Sequence, residues 1–231
     1  MSALLYNGWL WMLCSEGKLN IVFCYIAVLV WFAVSYMLGS VNFAIVISKI
    51  RYGQDIRDYG SHNAGATNML RTYGKGAAAV TLLCDILKAV VSVFVGRLLV
   101  GYDWAALCGL ACAVGHAFPC WYKFKGGKCV AVTAAFILSM EPLVFLMVLA
   151  VFLIITLFTK YVSLGSIFAA FMAPVIYYNY LKLQIGHGTA AVVYLFLTCM
   201  LVVYMHRENI ARLSKGEENR LGSKKKKDGK K

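Results

Sequence analysis

Charge is scarce in this chain. Only 14% of its 231 residues are Asp, Glu, Lys or Arg, against about 25% in an average soluble domain. Disorder, a collagen-like rod, a coiled coil and a secreted disulfide scaffold are all excluded by this composition. No CxxC pair occurs. Cys14, Cys24, Cys84, Cys108, Cys112 and Cys199 fall in or beside apolar runs and read as small buried hydrophobes. Cys120 and Cys129 flank a basic loop and suit free thiols in a reducing cytosol. A cleavable signal peptide is not expected, because the start lacks a basic region and an A-x-A-like site.

Apolar residues make up 61% of the chain, and the mean hydropathy is +0.71. A soluble monomer could not bury that much apolar surface, whereas a polytopic membrane protein has lipid as its solvent. Apolar runs lie near 19–48, 77–100, 104–119, 129–140, 143–159, 161–180 and 189–205. Several approach the ~20 residues of a spanning helix. The expectation is an all-α polytopic membrane protein with about seven transmembrane helices over 19–213. Five or six spans remain open, because the 129–140 run is short enough to be re-entrant or part of one broken helix. Residues 1–18 are expected to form an interfacial N-terminal segment, and 214–231 a basic cytosolic tail ending in KKKKDGKK.

The net charge is +13. Basic residues sit between and after the apolar runs, which fits a membrane surface or an anionic small substrate, with no nucleic-acid partner. Seven spans put 19 Lys and Arg on one side and three (Lys18, Arg97, Lys182) on the other, with Lys88 inside a span. The positive-inside rule then predicts the N-terminus outside and the C-terminus in the cytosol.

Dense polar chemistry falls on the expected cytosolic side. Gly60 to Arg71, GSHNAGATNMLR, has no Lys, Asp or Glu and ends in one Arg. Hydroxyls, backbone N–H groups and an Arg suit an anion. Phe124 to Cys129, FKGGKC, sets two glycines between Lys125 and Lys128 before an apolar helix, an arrangement for an oxyanion at a helix N-terminus. It is not a Walker A loop. His116, just before it, reads as a hydrogen-bonded packing residue. Leaving the last span, His206 and Asn209 share a helix face, and Glu208 and Arg212 are spaced as an ion pair. Asp85 and Lys88, inside a span, should face the bundle interior and pair. Ser163, Gly165 and Ser166 allow close helix approach or present hydroxyls to a site.

Together these segments resemble the bacterial acyl-phosphate:glycerol-3-phosphate acyltransferases of the PlsY type, from Gly39–Ser40 to Gly222. GSHNAGATNMLR, DILK, GHAFPCWYKFKGGKCVA, YVSLGSI and HRENIARLSKGEEN match the family's blocks in order and spacing. The resemblance implies acyl transfer from acyl phosphate to the sn-1 hydroxyl of glycerol 3-phosphate at a cytosol-facing site in the bacterial inner membrane. It implies no metal or cofactor, since acyl phosphate is already activated. A soluble enzyme that makes acyl phosphate is an implied partner. Carried over by motif, Ser61, Arg71, His206 and Asn209 are the catalytic candidates. Asn63, Thr67, Asn68, Lys125, Gly126, Gly127, Lys128, Ser163 and Ser166 are candidates for substrate and phosphate binding. Glu208, Asp85 and Lys88 are structural candidates. No His is followed by an Asp five residues on, so the H-x-x-x-x-D base of better-known acyltransferases is absent. The chain departs from the family pattern at His62 and Cys129, where Gly is usual, and at Asn42 and Ala44, where Pro and Gly are usual. Residues 1–18 match nothing in that pattern. A small transporter or anion channel is the alternative class. The lack of an inverted repeat and the clustering of polar groups on one face weigh against it.

Overall fold

The computed structural model describes residues 3–186 and 189–221, which places His187 and the KKKKDGKK run outside the described residues. The described chain is all-helical. Two short helices, α1 (Ala3–Asn7) and α2 (Trp9–Ser15), precede α3 (Ile21–Ser40) and α4 (Phe43–Tyr52). A loop leads to α5 (Ala66–Tyr73), then α6 (Lys75–Val100) and α7 (Tyr102–Ala117). After a second loop come α8 (Val130–Met140), α9 (Pro142–Thr159), α10 (Val162–Ile185), α11 (Ala190–Met205) and α12 (Arg207–Ser214).

Seven apolar helices occupy the seven runs. Five spans are long and apolar enough to cross a membrane: α3, α6, α9, α10, and α7 taken with the turn that follows it, Tyr102–Tyr122. α11 reaches that length only with α12, from which it bends by 52°, and the 11-residue α8 is too short alone. The first run does not continue to residue 48. It breaks at Val41–Asn42, where Asn42 caps α4 by accepting a hydrogen bond from the Ile45 N–H at 3.1 Å. Lys88 holds the other side of the break. Its Nζ donates to the carbonyls of Gly39 at 3.0 Å and Val41 at 2.8 Å, satisfying the end of α3.

α7 is the central post. Of its most apolar stretch 61% is buried, against 11% for α9. Its Ala, Gly and Cys residues let neighbours approach closely. A Cβ on Gly39 of α3 would run into the Cys112 carbonyl, and one on Gly115 into the Tyr36 carbonyl. Large apolar side chains such as Leu29, Leu146, Phe158 and Phe171 face outward, as lipid-facing surfaces require. A second buried cluster, Ala44, Ile45, Ile56, Ala64, Met69 and Ala77, fixes α4, the first loop and α5 at one end of the bundle.

Candidate active site

Two loops and one helix junction build the site. The first loop is organised by Asn68, which is fully buried. Its Nδ2 donates to the carbonyls of Ile56 (3.1 Å), Tyr59 (2.9 Å) and Asn63 (3.1 Å), and its Oδ1 accepts the Ser61 N–H at 2.8 Å. Gly60 has φ +64, and a Cβ there would collide with Asn68 Oδ1. Asn68, expected to bind substrate, therefore spends its amide on the loop that presents Ser61. Asn42 adds a tie to the Ala64 carbonyl at 3.1 Å. Ser61 and Asn63 are half-buried, and Thr67 and Arg71 are exposed on α5 or its approach.

Arg57, which no motif flagged, laces this loop to the second. It pairs with Asp55 through two hydrogen bonds of 2.9 and 2.8 Å and donates to the carbonyls of Tyr122 (2.9 Å) and Lys125 (3.1 Å). The guanidinium hydrogen bonds hold the Asp55 carboxyl down at about 2, against its burial.

In the second loop the glycine N–H groups are not offered to an oxyanion. Gly126 N–H donates to the Ala117 carbonyl and Gly127 N–H to the His116 carbonyl, both at 3.0 Å. A Cβ at Gly126 would collide with the His116 carbonyl, and one at Gly127 with His116 Nε2. Their role is close approach to the end of α7. Beneath them a buried chain runs from Asp85 through Lys88 (2.9 Å) to His116 Nδ1 (3.0 Å from Lys88 Nζ). The expected pairing of Asp85 with Lys88 and the packing role of His116 are both present.

Lys128 is half-buried, and its Nζ donates to Asn209 Oδ1. Burial, with Arg212 and Arg71 nearby, lowers its ammonium pKa to about 8 despite Glu218 and Glu208. Arg71 on α5 and Arg212 on α12 thus act on the same point. His206, at the α11–α12 bend, is 3% exposed, and its Nδ1 lies 2.8 Å from the Val202 carbonyl. A carbonyl only accepts, so Nδ1 carries the proton and the neutral ring presents Nε2 as an acceptor.

The expected Glu208–Arg212 pair does not form. Arg212 Nε lies 2.8 Å from Glu218 Oε2, and Glu208 is exposed. The chain after α12 folds back over the α9–α10 turn, with Leu221 N–H donating to the Lys160 carbonyl at 2.7 Å, and this carries Glu218 inward. Glu218 is 9% exposed and accepts from Ser163 Oγ (2.9 Å) and Asn209 Nδ2 (2.7 Å). Burial would raise its carboxyl, but Arg212, Asn209 and Ser163 together hold it below the usual range. Glu218 is the structural carboxylate here, and Ser163 serves it. Ser166 Oγ bonds back to the Val162 carbonyl within α10 at 2.9 Å. Gly165 allows the contact of α10 with α9, since its Cβ would strike Thr156 Oγ1.

The first loop with α5, Lys128, and the His206–Asn209 junction thus meet at one end of the bundle. Lys125 points its side chain to solvent and contributes its carbonyl to Arg57. The sequence signature of the glycerol-3-phosphate acyltransferases matches residues 29–216. The chain belongs to that family. It is 39% identical to the glycerol-3-phosphate acyltransferase of Finegoldia magna, over 86% of this chain and 98% of that protein. It is 42% identical to that of Bordetella pertussis, over 83% of this chain and 90% of that protein. It also matches the crystal structure of PlsY (YgiH), an integral membrane glycerol 3-phosphate acyltransferase, in its glycerol 3-phosphate form. That match has TM-score 0.78 and 35% identity, and covers 85% of this chain and 96% of that one. The lysophosphatidic acid form of the same protein matches at TM-score 0.76 and 34% identity. His62 and Cys129, where the resemblance leads one to expect glycine, both adopt left-handed backbone, φ +58 and +63, a conformation that favours glycine.

Proposed function

We propose that this family member transfers a fatty acyl group from acyl phosphate to the sn-1 hydroxyl of glycerol 3-phosphate. The products are 1-acyl-glycerol 3-phosphate and inorganic phosphate, the opening step of phospholipid synthesis. The observation that carries this reading is the convergence of Lys128, Arg71 and Arg212 on one end of the bundle, beside Asn209. Two phosphorylated substrates repel one another, and cations gathered there let both sit within reacting distance. The acceptor oxygen attacks the acyl carbonyl carbon, and the acyl–oxygen bond to phosphate breaks with its electron pair leaving on phosphate. The hydroxyl proton passes to a substrate phosphate or to His206 Nε2. Arg71 holds phosphate through its guanidinium fork. Ser61, Asn63 and Thr67 supply neutral hydrogen bonds, with Ser61 donating to substrate without being acylated.

The Lys and Arg distribution supports a cytosol-facing site in the bacterial cytoplasmic membrane, N-terminus outside. A soluble enzyme that makes acyl phosphate would then supply the donor from the same side. The test is phosphate release by purified protein in detergent, with palmitoyl phosphate, with and without glycerol 3-phosphate, and with palmitoyl-CoA in parallel. Release that requires glycerol 3-phosphate, with acyl product formed only from palmitoyl phosphate, is expected. Product from palmitoyl-CoA would overturn the donor. No turnover by folded protein would shift the reading to a phosphate carrier.

A further inference from the structure

The end of the bundle away from the site is closed by α1 and α2. There Gly8 (φ +78) meets the backbone of Gly101 so closely that a Cβ on either would collide. This contact is at the α6–α7 turn, the length of the 26-residue α6 from the α5 end. α2 also docks on the start of α3. Trp11 and Tyr25 meet edge to face at 5.3 Å, and Cys24 Sγ donates to the Leu10 carbonyl at 3.4 Å. Leu10 lies one turn before Cys14 on α2, so the Cys24 contact falls on the helical turn that ends at Cys14. Cys24 is fully buried, whereas Cys14 is half-exposed. Cys108, Cys112, Cys129 and Cys199 are buried in the bundle.

We propose that Cys14 and Cys24 form a disulfide that staples α2 to α3 on the non-cytosolic face. This rests on the N-out orientation proposed above, which exposes Cys14 to an oxidising compartment. The oxidant is an oxidised dithiol–disulfide carrier protein. The Cys14 thiolate attacks a carrier sulfur and displaces one carrier thiolate. Cys24 thiolate then attacks the Cys14 sulfur of the mixed disulfide and displaces the second. One S–S bond forms and one breaks, and two electrons and two protons pass to the carrier. A five- and a seven-residue helix are marginal alone, and a short cross-linked loop holds them against the bundle.

The test uses the full chain in bacterial membranes. Thiols are quenched with acid and blocked with N-ethylmaleimide in denaturant, and the protein is digested without reduction for mass spectrometry. An N-terminal tag, probed with protease on intact spheroplasts, reports orientation separately. A Cys14–Cys24 linked peptide in most molecules, with the tag cleaved, is expected. In a Cys24→Ser variant, Cys14 should be recovered as a mixed disulfide or blocked thiol, and turnover should be unchanged. A cleaved tag with both cysteines carrying maleimide overturns the disulfide and leaves the orientation standing. A protected tag overturns both.

Discussion

Lys128 is held near working pH by opposing forces, burial and two guanidinium groups against two carboxylates. Its positive charge is present below about 8 and lost above it. Glycerol 3-phosphate is already a dianion there, since a phosphate monoester has its second pKa near 6. The kcat/KM for glycerol 3-phosphate should therefore fall as pH rises through about 8. Unfolding does not mimic this limb. A lysine whose folded pKa is lowered binds fewer protons folded than unfolded, so on this group alone stability rises with pH between the two values. Lys128→Arg should move the limb out of range, and an unmoved limb would remove Lys128 from phosphate binding. For Arg71→Ala, loss of hydrogen bonds to a charged group, about 1.5–3 kcal/mol, predicts a drop of roughly 10- to 100-fold in kcat/KM. The two glycine departures give a contrast measurable by thermal unfolding. His62 spends one exposed contact, Nδ1 3.0 Å from the Arg57 carbonyl, on a strained φ. His62→Gly should stabilise by about 0.5–1 kcal/mol. Cys129→Gly relieves the same strain but deletes a buried thiol bonded to the Ala113 carbonyl at 3.1 Å, so its gain should be smaller or absent.

The break between α3 and α4 is an element whose existence depends on a residue elsewhere in sequence. Val41–Asn42 has no strong breaker, and the apolar run reads straight through it. What ends α3 is Lys88, 47 residues on, with Asp85 keeping its charge compensated. Lys88→Met should be severely destabilising, about 3–5 kcal/mol, because it strands a buried carboxylate. Replacing Asp85 by Asn in the same chain should recover part of that loss, and strict additivity in detergent melts would refute the coupling. The same limit explains what the motifs conveyed and what they did not. GSHNAGATNMLR, FKGGK and HREN were legible as candidate segments, because polar residues stand out in so apolar a chain, and the fold brings them to one end of the bundle. Hydrogen-bond partners were not legible. Asn68 and both loop glycines look like ligands for phosphate, and only tertiary structure reveals that carbonyls of the chain occupy them. Glu208 has ideal spacing to Arg212, yet the fold-back after α12 delivers Glu218 instead.

At the scale of the whole molecule, the bundle's polar groups are asymmetric. Composition made a polytopic helical membrane protein legible, and helix number was harder to read, because α8 and α11 fall short of a full crossing alone. Seven spans, if all cross, would gather 19 of the 23 Lys and Arg on one side of the membrane, as the positive-inside reading expects. A carrier needs its site reachable from both faces. Here the α6–α7 turn at the far end is covered by α1 and α2 through backbone contact at Gly8 and Gly101. Arg97 at that end is buried against the α8 terminus, donating to the carbonyls of Ser139 (3.1 Å) and Met140 (2.8 Å). At this end the α6–α7 turn and Arg97 are thus spent on structure. Protein reconstituted in sealed vesicles should therefore form acyl product from glycerol 3-phosphate supplied on the site-bearing face alone. Labelled glycerol 3-phosphate should not accumulate inside vesicles when the acyl donor is withheld. Accumulation without the donor would mean that the cationic cluster lines a route across the membrane, and that acyl transfer is not what gathered it.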